Sequence, residues 1–253
     1  MEHSTICKNC NHTFEGKYCN RCGQAANTPD LSLHYIWHDI QHGIFHFDNG
    51  IFYTIKQLLR RPGHSIREFI NGKRIHHFKP LSFVVVLATF YGLLYHYFID
   101  NPFGAEPINA DGNLIQFYQK AIRWNLDHFA YTALLLALTT TMASYWVFKK
   151  QGYNLAEHLV LNLYYRGLVL VVALLLFPVL FIVYNKTDPE NLMRYALLIQ
   201  PLDFILMCWC YAQFFNKLNL IKVLGLTTLT YMLMSTINMM IWYTGMLIAN
   251  IVA

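Results

Sequence analysis

The sequence predicts an all-α integral membrane protein: about five transmembrane helices, preceded by amphipathic juxtamembrane helices and a small cysteine-bearing head. Three observations predict it. The 253-residue chain is 55% hydrophobic and only 13% charged, whereas soluble domains carry roughly 25% charged residues. Apolar stretches recur at the length that a bilayer core of about 30 Å demands of a helix, roughly 20 residues. Lysine and arginine collect in alternate connecting segments, the pattern that sets membrane topology. The same composition excludes disorder, collagen-like repetition and a disulfide-rich secreted scaffold.

Five stretches qualify as spans. The first, Leu81 to Ile99, carries no strong charge and only His96 near its end. The second, Phe129 to Phe148, stops at Lys149-Lys150. The third runs from about Gly167 to Tyr184 around Pro178, and the fourth, Tyr195 to Phe215, contains Pro201 and Asp203. The last, from Val223 to about 250, is uncharged and longer than one crossing requires, so it is expected to tilt, kink or protrude.

Charge orients these spans. Arg60, Arg61, Arg67, Lys73, Arg74 and Lys79 precede the first; Lys149, Lys150 and Arg166 follow the second; Lys217 and Lys222 follow the fourth. Only Lys120, Arg123, Lys186 and Arg194 fall on the opposite side. The asymmetry predicts a cytoplasmic N-terminus and an external C-terminus. Residues 1–30 are polar, with no apolar h-region, so no cleavable signal is expected. Turn residues at Asn101-Pro102, Gly104, Pro107 and Asp111-Gly112 make 100–128 an outer loop with an amphipathic stretch near Leu114 to Leu126. Asn154 with Glu157 three residues later reads as a helix cap, and Leu155, Leu159 and Leu163 then suggest a short helix lying at the inner interface.

The most specific signal is Cys7-x-x-Cys10, eight residues, then Cys19-x-x-Cys22. Two such knuckles can offer four thiolates to one tetrahedral metal ion, and soft thiolates in that geometry favour zinc. Gly23 permits a tight turn, and Phe14 and Tyr18 are placed to cover the metal. So short a segment has no core of its own, so the metal would supply most of its folding energy. Four thiolates leave no open position, which makes the zinc structural rather than catalytic. Disulfides, a redox dithiol and an iron–sulfur centre are the competing readings. Cys208 and Cys210 read as small buried apolar residues. The chain divides into a ribbon over 1–27, juxtamembrane helices over 28–79 and a membrane domain over 80–253.

Leu33, Ile36, Trp37, Ile40 and Ile44 recur at helical spacing. His34, His38, His42 and His46 step by four along the same helix. They are either a titratable solvated stripe or a second metal or pH-sensing site. A second helix spans Ile51 to Arg60 and ends at Pro62-Gly63. A third starts at Ser65, with Glu68 completing a capping box, and stops at Asn71-Gly72. Arg60, Arg61, Lys73, Arg74 and Lys79 beside the inner leaflet are candidates for anionic-lipid contact, or serve topology alone.

These residues carry a resemblance. Cys-x-x-Cys pairs with a trailing Cys22-Gly23-Gln24, then Thr54, Leu58-Leu59-Arg60-Arg61-Pro62-Gly63, Gly72-Lys73-Arg74 and Pro80 opening a span resemble an uncharacterised bacterial inner-membrane family with an N-terminal zinc ribbon. The likeness covers mainly residues 5–100. It implies the ribbon, the topology and a bacterial plasma membrane, and it carries no activity, substrate or catalytic residue.

Asp203 is the acidic residue within a predicted span, a functional candidate by default, with Pro201 placed to break its helix. The alternative is a structural Asp satisfied near the outer surface. Glu157, His158 and Arg166 flank the inner end of span three and could form a polar site with His76 or His77. Asn162, Gln200, Asn238 and Asn250 are expected as interhelical hydrogen-bond partners. No hydrolase, phosphate-loop or dinucleotide motif is present. Three functions follow: an anchor, scaffold or regulator whose ribbon docks a cytosolic protein; a small-solute or lipid transporter or channel; and a metal-dependent membrane enzyme. The first is preferred, with no catalytic residue assigned. Membrane lipids are the expected contact, a homo-oligomer is allowed, and nucleic acid is not expected.

Overall fold

The computed structural model describes residues 4–34, 36, 50–99, 124–125, 127–186 and 189–252. Its elements are a two-stranded antiparallel sheet, β1 (Thr5–Ile6) and β2 (Thr13–Phe14), followed by seven α-helices among the described residues. These are α1 (Gly50–Arg60), α2 (Pro62–Ile70), α3 (Pro80–Phe98), α4 (Phe129–Val147), α5 (Leu155–Lys186), α6 (Pro189–Phe214) and α7 (Leu220–Val252). Residues Pro80–Phe98, Leu155–Val183 and Leu220–Gly245 are long and apolar enough to cross a membrane. The remaining two expected spans also form helices, α4 and α6; α4 carries Thr139, Thr140 and Thr141, and α6 carries Asp203.

Local chemistry explains the helix boundaries. Pro62 occupies the first turn of α2, where its missing N–H is harmless, and it holds Arg61 out of the helical region at φ −151°. α2 ends in a Schellman motif: Gly72 takes φ +101°, its N–H reaches Phe69 O at 3.1 Å, and the Lys73 N–H reaches Glu68 O at 2.9 Å. Lys79, extended at ψ 131°, precedes Pro80 at the start of α3. The expected cap of α5 forms reciprocally. The Glu157 N–H donates to Asn154 Oδ1 at 2.9 Å, and the Asn154 N–H donates to Glu157 Oε2 at 2.7 Å.

Three local expectations need correction. α2 begins at Pro62, not Ser65; Ser65 is buried inside it and bonds His77, and Glu68 pairs with cations rather than closing a capping box. Residues 155–165 are no separate interfacial helix: α5 runs unbroken to Lys186, because its first turns pack on α2 and α4 as well as α3. Pro201 does not end its helix, since α6 continues through it. Most of the outer loop's amphipathic stretch and most of the histidine-bearing helix lie outside the described residues.

One apolar core joins the juxtamembrane helices to the bundle: Leu58, Ile66 and Phe69 pack with Phe83, Leu161, Tyr164, Tyr211 and Phe214. Two close approaches set its geometry. A Cβ on Gly63 would lie 2.3 Å from Phe214 N and 2.5 Å from Cys210 O, so α2 crosses α6 backbone to backbone. A Cβ on Gly167 would lie 2.4 Å from the buried Phe83 ring. Toward the far ends of the helices, Leu93, Tyr97, Leu175, Val179, Ile182 and Tyr243 are exposed, which is the surface a lipid phase covers.

Candidate functional site

The four head cysteines converge. Their sulfurs all lie within 4.8 Å of one another, with Cys7 to Cys22 at 3.5 Å and Cys10 to Cys19 at 3.7 Å. A tetrahedron with metal–sulfur bonds of about 2.3 Å has edges of about 3.8 Å, so the set could hold a metal ion. Each knuckle is the same turn. The Cys7 N–H bonds His12 O and the Asn11 N–H bonds Cys7 O; twelve residues on, the Cys19 N–H bonds Gln24 O and the Gly23 N–H bonds Cys19 O. Asn11 and Gly23 both take positive φ, at 57° and 78°. The pairings Ile6 with Thr13 and Tyr18 with Ala25 repeat the same shift.

The thiols divide in acidity. Burial works against ionising Cys22, but the Gln24 backbone N–H, the Asn9 side chain and the Cys7 and Cys10 sulfurs outweigh it and lower its pKa to about 7. The His12 backbone N–H favours the Cys10 thiolate, but burial and the three neighbouring sulfurs prevail and raise it to about 12. A divalent cation relieves this conflict by deprotonating all four. Phe14 is buried against the cluster as expected, whereas Tyr18 is exposed and covers nothing.

The head is bonded to the bundle. Gln24 is buried; its Nε2 donates to Gly72 O at 2.6 Å, and its Oε1 accepts the Arg74 N–H at 3.2 Å. It thereby grips the turn that ends α2. Lys8 lies over Gly72 and donates to Thr28 O at 3.1 Å. Below, Phe78 is held from both sides: its N–H donates to Thr54 Oγ1 at 2.8 Å and its carbonyl accepts from Tyr164 at 2.7 Å. Arg67 donates to Gln213 O and, at 2.7 Å, to Phe214 O, covering the last carbonyls of α6.

The polar residues singled out in the membrane part divide among three sets of partners. Glu157 stays in the exposed cap of α5. His158 is buried, with Nδ1 3.0 Å from Ser144 Oγ; Asn162 donates to the same Ser144 at 2.9 Å and accepts from Tyr211 at 2.7 Å. Arg166 pairs with Asp203 through Nη1 at 3.2 Å, and Tyr165 donates to the same carboxylate oxygen at 2.8 Å. Asp203 thus meets Arg166 and Tyr165 of α5, while the side chains of the outer-segment arginines Arg123 and Arg194 lie outside the described residues. His77 joins none of these: it bonds Ser65 Oγ at 3.0 Å. Asn238 pairs with Thr139 as an interhelical bond, while the Gln200 and Asn250 side chains lie outside the described residues.

The basic set is largely engaged. Glu68 takes Arg61 at 3.1 Å and Lys73 at 3.3 Å. Arg74 donates to Phe69 O at 3.2 Å with its guanidinium 5.4 Å from the Phe69 ring. Arg60 is exposed, and Lys79 is half-buried at the start of α3. His34 is exposed; His38, His42 and His46 lie outside the described residues. Among the described residues, the four cysteines are the one group placed to ligate a metal.

Residues 48–92 match a family model described as a protein of unknown function, DUF3667. The matched segment comprises α1, α2, the Gly72 turn and the first part of α3. It is the surface that Gln24, Tyr164 and the α6 C-terminus engage. The ribbon lies outside it. No curated protein and no solved structure matches the chain. Sequence reasoning missed Gln24, Arg67, Ser144, Tyr165 and Tyr211 as partners. A signal existed for the first: the knuckles repeat after twelve residues, which makes Gln24 the counterpart of His12 at the turn's exit.

Proposed function

We propose that this is a multi-pass membrane protein whose four-cysteine head binds zinc structurally and serves as a rigid docking platform for a cytosolic protein. The observation that carries the reading is the Gln24 grip: a closed thiolate set has no position for chemistry, and two hydrogen bonds fix it to the base of the bundle. Ile6 and Tyr18, equivalent under the twelve-residue shift and each 67% exposed, supply the apolar contact on its free side. The lysine and arginine asymmetry supports a cytoplasmic head, the resemblance implies a bacterial plasma membrane, and the exposed Arg60 is placed for lipid contact. The test is affinity capture with the full chain against the Ile6→Asp/Tyr18→Asp double variant. A partner retained by the first and lost by the second, at unchanged zinc content, supports the platform. Identical capture by both rejects it.

A second reading, transport of a small solute or lipid, is favoured by one observation: a partly buried Arg166–Asp203 pair within the helices. Flux in reconstituted vesicles that is unchanged by Asp203→Asn would remove the role of that pair.

A further inference from the structure

Arg166 is buried, with 7% of its side chain exposed, and its guanidinium is only partly used. Nη1 donates to Asp203. Nε and Nη2 have no hydrogen-bond partner among the described residues. Those two N–H groups form the side-on edge of a guanidinium, where they run parallel and match two oxygens of one phosphate or carboxylate. A buried cationic edge left bare is costly, so this edge calls for an anion.

The surroundings come from three helices. Asp203 on α6 sits at the other end of the guanidinium, its charge met by Nη1 and the Tyr165 hydroxyl, so it takes neither N–H of the free edge. Tyr231 on α7 lies within electrostatic reach of both Asp203 and Arg166, with its ring edge-on to Phe204 at 5.2 Å. One turn back on α7, Thr227 is buried and its Oγ1 also has no partner among the described residues. Depth identifies the anion. Gly167 abuts Phe83, three residues into α3, and Tyr164 bonds Phe78. Arg166 therefore sits level with the end of α3 at which Lys79 gives way to apolar residues. At that level a bilayer places its headgroups. Asp203 remains 23% exposed beside exposed Ile205, so the pair lies close to the molecule's outer surface and a side-chain shift would open the edge to it.

We propose that Arg166 Nε and Nη2 form a phosphate-binding fork that takes the headgroup of a phospholipid from the leaflet next to Lys79, with Asp203 positioning the guanidinium and the Tyr231 hydroxyl as a further donor. The site is independent of whether the ribbon docks a partner.

The experiment uses the full chain in detergent, titrated with dihexanoylphosphatidylethanolamine or with inorganic phosphate while thermal unfolding is followed. Wild type shows a saturable stabilisation by the phospholipid. Arg166→Lys keeps the charge but not the fork, and weakens the apparent affinity by about tenfold or more. Tyr231→Phe keeps the ring and weakens it severalfold; it carries the comparison alone if Arg166→Lys does not fold. An equal response to inorganic phosphate retains the fork but overturns the lipid as its source. No response to either ligand, or responses in the variants equal to wild type, overturns the proposal.

Discussion

The head and the bundle are built on opposite principles. The head buries little beyond Cys7, Cys19 and Phe14, with Cys10, Cys22 and Ala26 against them. The bundle buries a continuous apolar core that reaches from Leu58 on α1 to Phe215 beyond α6, with Phe148 stacked on Phe215 at 3.9 Å. On the reading that its four thiols hold a metal, the first depends on ligand chemistry and would be dissolved by removing that metal; the second depends on packing and would not. A segment with so little core of its own is coupled to the larger body, among the described residues, by very few bonds.

Cys7→Ser combined with Cys19→Ser separates the two regions most. Metal content falls to background and residues 4–27 become readily cleaved by protease, while the thermal unfolding of the bundle moves little. Joint unfolding of both regions would break the comparison. Gly63→Ala does the converse. Its Cβ meets the α6 backbone, which cannot swing aside as a side chain could, so the bundle loses about 3 kcal/mol. Thermal unfolding reads that loss, at unchanged metal content.

A smaller effect comes from pH. Burial lowers the His77 pKa from 6.5 to about 4, against the pull of Glu68. The native state therefore holds the neutral ring, and the unfolded chain binds the proton first. Stability is complete above about pH 6.5 and is lost as pH falls toward 4, by roughly 2–3 kcal/mol. A His77→Gln variant should flatten that slope in pH-dependent melting curves, and an unchanged slope assigns it elsewhere. The smallest effect is that of Gln24→Met, which removes the two bonds to the Gly72 turn. It should weaken docking by about 1–2 kcal/mol, seen as faster proteolysis of the linker near Thr28, with metal retained.

Much of this was legible in the sequence because it is local. The Cys spacing, the Asn154–Glu157 cap, the Gly72 stop and the apolar stretches each depend on neighbours within a few residues. The failures share a cause. Ser65 and Glu68 satisfied the local rule for a cap, but His77, Arg61 and Lys73 claimed them through tertiary structure. Arg67 reaches α6 and Arg166 reaches Asp203 only because helix rotation and depth bring them together, and periodicity fixes neither. Proximity in sequence places Tyr18 by the cysteines, but it sits in an extended bridge and is exposed.

Amide hydrogen exchange at two adjacent residues tests the coupling most directly. The Arg74 N–H is bonded to Gln24 in the head, whereas the Lys73 N–H is bonded to Glu68 within α2. Stripping the metal from the full chain, verified by metal analysis, should speed exchange at Arg74 by about tenfold or more while Lys73 keeps its protection. Equal exchange at Arg74 with and without metal would contradict a metal-closed head clamped to the bundle.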